Sequence, residues 1–235
     1  MRALLSWSSG KDSAWALHML GHRREVEVTG LFTTVNAAFD RVAMHGVRRQ
    51  LVAAQAEATG LPLHVLEIPN PCPNTVYERV MSAFVAEQVA AGVEAMAFGD
   101  LFLEDIRRYR EARLAGTGIV PLFPLWGIET RALARQMIDG GLEAYVACLD
   151  PRKVPEELAG RRFDAKLLAE LPEGIDPCAE NGEFHTFAAG GPMFRSRIGV
   201  SVGERVTRDG FVFCDLVPAQ QRSAPPCGEG PGVGV

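Results

Sequence analysis

Six small or charged residues, Ser8-Ser9-Gly10-Lys11-Asp12-Ser13, follow the apolar run Arg2–Ser6 and lead into Asp12–Leu20, which carries Ala14, Leu17 and Leu20 at helical spacing. The first N–H groups of a helix have no intrahelical partners, and the helix dipole places positive potential there. A strand entering a helix through small residues therefore suits a phosphate. Ser8, Ser9 and Gly10 let an anion approach the backbone, Lys11 can neutralise it, and Ser13 can donate a hydroxyl bond. The pattern is not a Walker A loop, because Leu5 and Asp12 occupy the places of its first glycine and its Ser or Thr. The alternative is an ordinary cap, with Ser9 or Asp12 closing the helix. A cap accounts for one polar residue of the six.

A second polar cluster lies in the stretch Asp176–Phe194, where Glu180, Asn181, Glu183, His185 and Thr186 surround Gly182 within seven residues. Two carboxylates and an imidazole at this spacing can serve as acid, base or ammonia-binding groups. They can also form a polar loop leading into a strand at Phe184–Phe187. Gly99 and Asp100 end a short buried-looking run at Ala95–Phe98. A carboxylate there can hold Mg²⁺ on a triphosphate or bond to the nucleotide. The charges that follow, Glu104 to Glu111, read as a solvated helix with i,i+4 pairs. Thr33 closes a second strand on the same edge as the phosphate loop, and His45 precedes a helix near that edge. Taken alone, Thr33 can equally be a strand end with nothing bound, and His45 a surface or cap residue or a nucleotide contact.

The elements that must position these residues alternate. Strands are predicted at Arg2–Ser6, Val26–Thr33, Leu63–Ile68, Ala95–Phe98, Ile119–Pro121 and Glu143–Cys148. Helices are predicted at Asp12–Leu20, Gly46–Thr59, from a cap at Asn74 or Thr75 through Val76, Val80, Phe84 and Val89, at Ile106–Leu114 and at Thr130–Ile138. This alternation implies a doubly wound α/β fold, a parallel sheet covered on both faces, with ligands at the carboxyl ends of its strands. Beyond about Asp150 the pattern changes to a charged helix at Leu158–Leu171 and strands at Phe184–Phe187, Arg197–Val202, Glu204–Thr207 and Phe211–Val217. The expected division is therefore residues 1–150, a smaller α+β region at 151–218, and a Gly- and Pro-rich unstructured tail at 219–235.

The 235 residues, 47% of them apolar, suffice for one large domain or for one with a smaller companion. No apolar run reaches membrane length and no signal peptide is evident, which predicts a cytoplasmic protein. The five cysteines form no C-x-x-C pair, which argues against a disulfide framework or a thiolate zinc site. A net charge of −5 leaves no electrostatic footprint for nucleic acid.

The loop Ser8–Ser13 resembles the SGGKDS signature of the PP-loop ATP pyrophosphatases, with Ser9 standing where a second glycine is usual. The resemblance implies a HUP-like, Rossmann-like ATP-binding domain that uses ATP with Mg²⁺, cleaves between the α and β phosphates, and passes AMP to an acyl or carbonyl oxygen. Together with Gly99-Asp100, Arg107–Glu111, "PLFPLW" at Pro121–Trp126 and "ENGEFHT" at Glu180–Thr186, the chain resembles the diphthine–ammonia ligase family. That implies an amide-forming ligase that takes ATP, ammonium and a carboxylate substrate, in that family a modified histidine of translation elongation factor 2.

In such a ligase Lys11, Asp100, Glu180, Glu183 and His185 would be catalytic. Ser8, Ser9, Gly10, Lys11, Asp12, Ser13, Thr33, His45 and Gly99 would hold ATP, and Asp100 its metal. Asn181, Gly182 and Thr186 would meet the substrate. An adenine-nucleotide sensor or hydrolase is the competing expectation, and it has no need of Glu180, Glu183 and His185. A transfer-RNA thiolation or lysidine-type enzyme is disfavoured by the missing paired cysteines and basic region.

Overall fold

A computed structural model describes residues 1–42 and 46–219. The first sheet is built from β1 (Arg2–Ser6), β2 (Glu27–Asn36), β4 (Leu63–Ile68), β5 (Ala95–Ala97) and β6 (Val120–Leu122), in the parallel order β4-β2-β1-β5-β6. A two-residue strand, β3 (Arg41–Val42), pairs antiparallel with the end of β2. From β1 the chain winds outward through β2 to β4, then returns to the other side of β1 for β5 and β6. The winding thus reverses between β1 and β5, and a crevice opens there at the strands' carboxyl ends.

Each crossover carries a helix: α1 (Lys11–Gly21), α2 (Arg49–Thr59), α3 (Asn74–Ala90) and α4 (Glu104–Leu114). β1 is apolar without alternation because both of its faces are covered. Ala3 and Leu5 point into one core with Leu31, Ala95 and Ala97, while Leu4 points into the other with Phe32, Met96 and Phe84. The first of these cores continues into the second half of the chain through Ala144, Val146, Phe187 and Ala188.

After α5 (Thr130–Asp139) comes a second, antiparallel sheet in the order β8-β7-β10-β9, from β7 (Glu143–Leu149), β8 (Phe184–Gly190), β9 (Val200–Arg208) and β10 (Phe211–Pro218). The strand at Glu143–Leu149 thus forms as expected but joins this sheet, not the parallel one. Its apolar run satisfies either neighbour, so the sequence alone does not choose. The charged stretch expected as one helix, Leu158–Leu171, is broken by Gly160 at φ +79°. Arg162 bridges to Tyr145, and only α6 (Ala165–Glu170), capped by the Asp164 carboxylate on the Leu167 N–H at 2.8 Å, is helical.

The two strands expected at Arg197–Val202 and Glu204–Thr207 are one. The strand runs on through Gly203, where β10 approaches so closely that a Cβ would meet the Asp215 carbonyl oxygen at 2.7 Å. Asp215 on β10 receives Arg41 at 3.1 Å and Arg48 at 2.5 Å, tying the second sheet to the first. His45 and the tail from residue 220 lie outside the described residues. Among the described residues no helix is long and apolar enough to cross a membrane.

Candidate active site

The phosphate loop leaves β1 at the reversal point, and Gly10 is the N-cap of α1 in extended conformation, without a side chain to close the helix. Ser8 Oγ lies 3.2 Å from Ser13 Oγ and accepts the Gly10 N–H at 3.4 Å, while Ser13 donates to the Gly10 carbonyl at 3.0 Å. Gly99 at the end of β5 is a packing glycine. A Cβ there would sit 3.0–3.2 Å from backbone atoms of Asp12 and Ser13, so only glycine lets β5 approach the first turn of α1 so closely.

Lys11 is 2% exposed. Its Nζ donates to Asp12 Oδ2 at 2.8 Å and to the Cys178 carbonyl. The rings of Phe163 and Phe184 lie 5.7 and 5.8 Å from the ammonium. Burial pulls the Lys11 pKa down, but the Asp12 carboxylate outweighs it, and the ammonium is held above its ordinary range. The second half of the chain positions this lysine: Thr186 Oγ1 on β8 accepts the Lys11 N–H at 3.0 Å.

Asp176 shapes the approach from that side. Its two oxygens accept the Cys178 N–H at 3.1 Å and the Glu180 N–H at 2.7 Å, which turns the Cys178 carbonyl and Glu180 toward the loop. Glu180 accepts the Leu101 N–H at 2.7 Å. Burial, with Asp12 and Asp100 nearby, pushes its carboxyl up to about 7 despite that bond. Burial also pushes His185 down to about 4, helped by the Lys11 charge, so the imidazole is neutral at pH 7.

Two cavities adjoin at the reversal point. One, of about 210 Å³, is lined by Ser6, Ser8, Lys11, Asp12, Ser13, Gly99, Asp100, Arg110, Ala179, Glu180, Phe184, His185 and Thr186. The other, of about 390 Å³, opens over the ends of β1 and β2 between Trp7, Phe32, Thr33, Thr34, Val42, Ile68, Tyr77 and Met81. Ser6, Ser8 and Arg110 belong to both. A charged compartment beside an apolar one matches the two ends of a nucleotide.

Most of the residues singled out in the sequence converge here, but not all. Ser9 is fully buried behind the loop, not in the cavity wall, and it adopts φ +71°, which costs a non-glycine residue roughly 1–2 kcal/mol. Asn181 is exposed, and Gly182 sits in a turn at φ +76°. Glu183 is buried away from both cavities: Oε1 accepts from Asn181 Nδ2 at 3.2 Å, its carbonyl accepts the Asp150 N–H at 2.9 Å, and Oε2 has no partner.

Three residues were not singled out. Arg110 hides among the charges of α4, and its sequence signal is its place in the Arg107–Glu111 stretch. Gln55 looks like a polar residue of an amphipathic helix. Asp176 heads the second cluster without resembling a catalytic acid. In α4 the expected i,i+4 pairs do form, Arg107–Glu111 at 2.8 Å and Arg108–Glu104 at 3.5 Å. Arg110 instead reaches back ten residues to Asp100.

Comparison with known proteins places the chain. The N-terminal domain model of diphthamide synthase matches residues 1–116, and the C-terminal domain model matches residues 129–220. The chain belongs to the diphthamide synthase family. Within it, the chain is similar to the diphthine–ammonia ligase of Danio rerio, 28% identical over 92% of both chains. It is also similar to those of Rattus norvegicus and Homo sapiens, 26% and 25% identical over 92% of this chain and 89% of theirs. The matched N-terminal model holds the phosphate loop and Arg110, and the C-terminal one holds Glu180 and Thr186. The cavity of this diphthamide synthase relative therefore lies where the two matched regions meet.

Proposed function

We propose that this chain is an ATP-dependent ligase of the diphthine–ammonia type, which adenylates a carboxylate and replaces AMP with ammonia. The ligase class comes with the family and with relatives aligned over nearly their whole length. The observation that carries the mechanism is that Lys11, Asp12, Arg110 and Glu180 line one cavity, which meets the apolar one at Ser6, Ser8 and Arg110. The apolar cavity takes adenine and ribose, and the α1 N-terminus, Lys11 and Arg110 take the phosphates.

The substrate carboxylate attacks the α-phosphorus, and pyrophosphate leaves with its charge held by Lys11 and Arg110. Ammonia then attacks the acyl carbon, and AMP leaves as the amide forms. Ammonium, the abundant form at neutral pH, must first lose a proton. Glu180, with a carboxyl near neutrality inside the cavity, is the acceptor. Thr186 and Asp176 keep Lys11 and Glu180 in place. Glu183 supports the loop and does not take part in the chemistry. Neutral His185 lines the same space and orients the acyl group.

Mg²⁺ accompanies ATP and would draw charge off the phosphate oxygens. Among the described residues no cluster of three or more ligating side chains exists. The ion would arrive with the phosphates of ATP. Asp12 would hold it, because its Oδ1 is buried without a partner at the cavity wall. The metal role expected for Asp100 passes to Asp12, since Arg110 engages both Asp100 oxygens.

The relatives are named for diphthine, and the family resemblance extends the reading to a modified histidine of elongation factor 2 as the carboxylate substrate, with the reaction placed in the cytoplasm. The four described cysteines are free, which suits that compartment. The test is to incubate the chain with ATP, ammonium and elongation factor 2 bearing diphthine. AMP release and a one-dalton loss in the mass of the factor are expected. An unchanged factor overturns the assignment.

A further inference from the structure

Gln55 is fully buried on α2, and every polar atom of its side chain is used. Its Oε1 accepts the Trp7 indole N–H at 2.8 Å. Its Nε2 donates to the Ser9 carbonyl at 3.0 Å and to the Ala188 carbonyl at 2.6 Å. The amide has one workable orientation, since turning it over would set its oxygen against two carbonyls and its NH₂ against a donor. The Ser9 carbonyl also accepts the Ala188 N–H at 2.9 Å. One side chain thus fastens the phosphate loop to β8.

The residue it fastens is under strain. Ser9 holds φ +71°, a conformation that glycine adopts at no steric cost and that serine does not. Its hydroxyl is buried without a partner, so the side chain contributes nothing that offsets the strain. What holds Ser9 there is its carbonyl, gripped from α2 and from β8. If that grip is released, the loop relaxes toward negative φ. The first turn of α1, which follows Ser9 directly, then shifts against the anion site.

We propose that Gln55 is a positioning residue for nucleotide binding, and that its role is to hold Ser9 in the left-handed conformation from which the phosphate loop is built. It touches no substrate and acts through Ser9. The inference rests on the ATP-binding reading of the loop.

The experiment is a cycle of variants read by ATP affinity in calorimetry and by thermal melting. Gln55→Leu keeps the volume and removes the bonds, and is expected to weaken ATP binding at least tenfold. Ser9→Gly alone is the reference against which the double variant is read. Ser9→Gly in the Gln55→Leu chain should bring affinity back to within about threefold of the unmodified protein, because glycine needs no help to hold positive φ. Ser9→Ala in the same chain should bring back nothing, because alanine keeps the strain. Rescue by glycine and not by alanine is a result that general destabilisation does not give. If Gln55→Leu proves too unstable to purify alone, the double variant Ser9→Gly, Gln55→Leu must still fold and bind ATP. Equal loss in all Gln55→Leu backgrounds, or no loss in any, overturns the inference. Failure of the unmodified chain to bind ATP would instead overturn the ligase reading.

Discussion

Asp100 grips Arg110 through both oxygens, at 2.5 Å to Nε and 3.1 Å to Nη2, and so aims a guanidinium from α4 at the place where the two cavities meet. The same guanidinium lies 4.4 Å from the Phe98 ring centroid. A planar fork fixed by a carboxylate on one side and an aromatic face on the other is already set for a phosphate. Arg110→Ala is therefore expected to raise the KM for ATP by one to two orders of magnitude, the loss of about 1.5–3 kcal/mol for a charged hydrogen bond. Asp100→Asn should cost less, and should cost almost nothing more in the Arg110→Ala chain. Steady-state kinetics of the three variants decides. Full additivity would mean that Asp100 acts independently of Arg110.

Glu180 predicts a pH profile. Its carboxyl is raised from 4.5 to about 7, so it is protonated, and useless as an acceptor, on the acid side of neutrality. kcat/KM for ammonium should fall about tenfold per pH unit below that point, and Glu180→Gln should remove this limb along with most of the rate. Stability moves the opposite way. The folded state binds the proton more tightly than the unfolded one, so charging Glu180 costs stability as the pH rises from about 4.5 to about 7. Glu180→Gln should flatten the dependence of melting temperature on pH across that window. A variant with an unchanged profile on both counts would remove Glu180 from the mechanism.

Glu180 and Glu183 should separate cleanly. Glu183 supports the loop from inside, and Glu183→Gln should shift the melting temperature while the KM for ammonium stays within about twofold. Glu180→Gln should raise the ammonium KM and leave melting at the pH of assay little changed or higher. Exchange of these two outcomes would place Glu183 in the chemistry and Glu180 in the scaffold.

Lys11→Met keeps the length and the apolar contacts with Phe163 and Phe184 but removes the charge. ATP affinity should fall at least tenfold in calorimetry. Unchanged affinity would mean that the loop is only a helix start.

The parts legible in the sequence are those whose signal is local. Ser8 to Ser13 stand together at a strand end, so one glance along the chain finds the loop, and the alternation of elements gives the parallel sheet. What escaped depends on partners far away. Arg110 reads as one more charge on a polar helix until Asp100, ten residues earlier, turns it inward. Gln55 matters only because Ser9 and Ala188 meet over it. Glu180 and Glu183 are indistinguishable by spacing, and the Asx turn at Asp176 sends one to the cavity and the other into the loop. The apolar strand Glu143–Leu149 fits either sheet by periodicity, and its place is set by pairing with β8 and β10.

On the proposed mechanism ATP is cut at its α-phosphorus in an ammonium-dependent ligation. The most direct measurement is ³¹P NMR of the turnover mixture with elongation factor 2 bearing diphthine, with and without ammonium. AMP and pyrophosphate in equal amounts, matched to amide formed and rising with ammonium, are the predicted result. ADP and phosphate as the products, or AMP formation indifferent to ammonium, would contradict it.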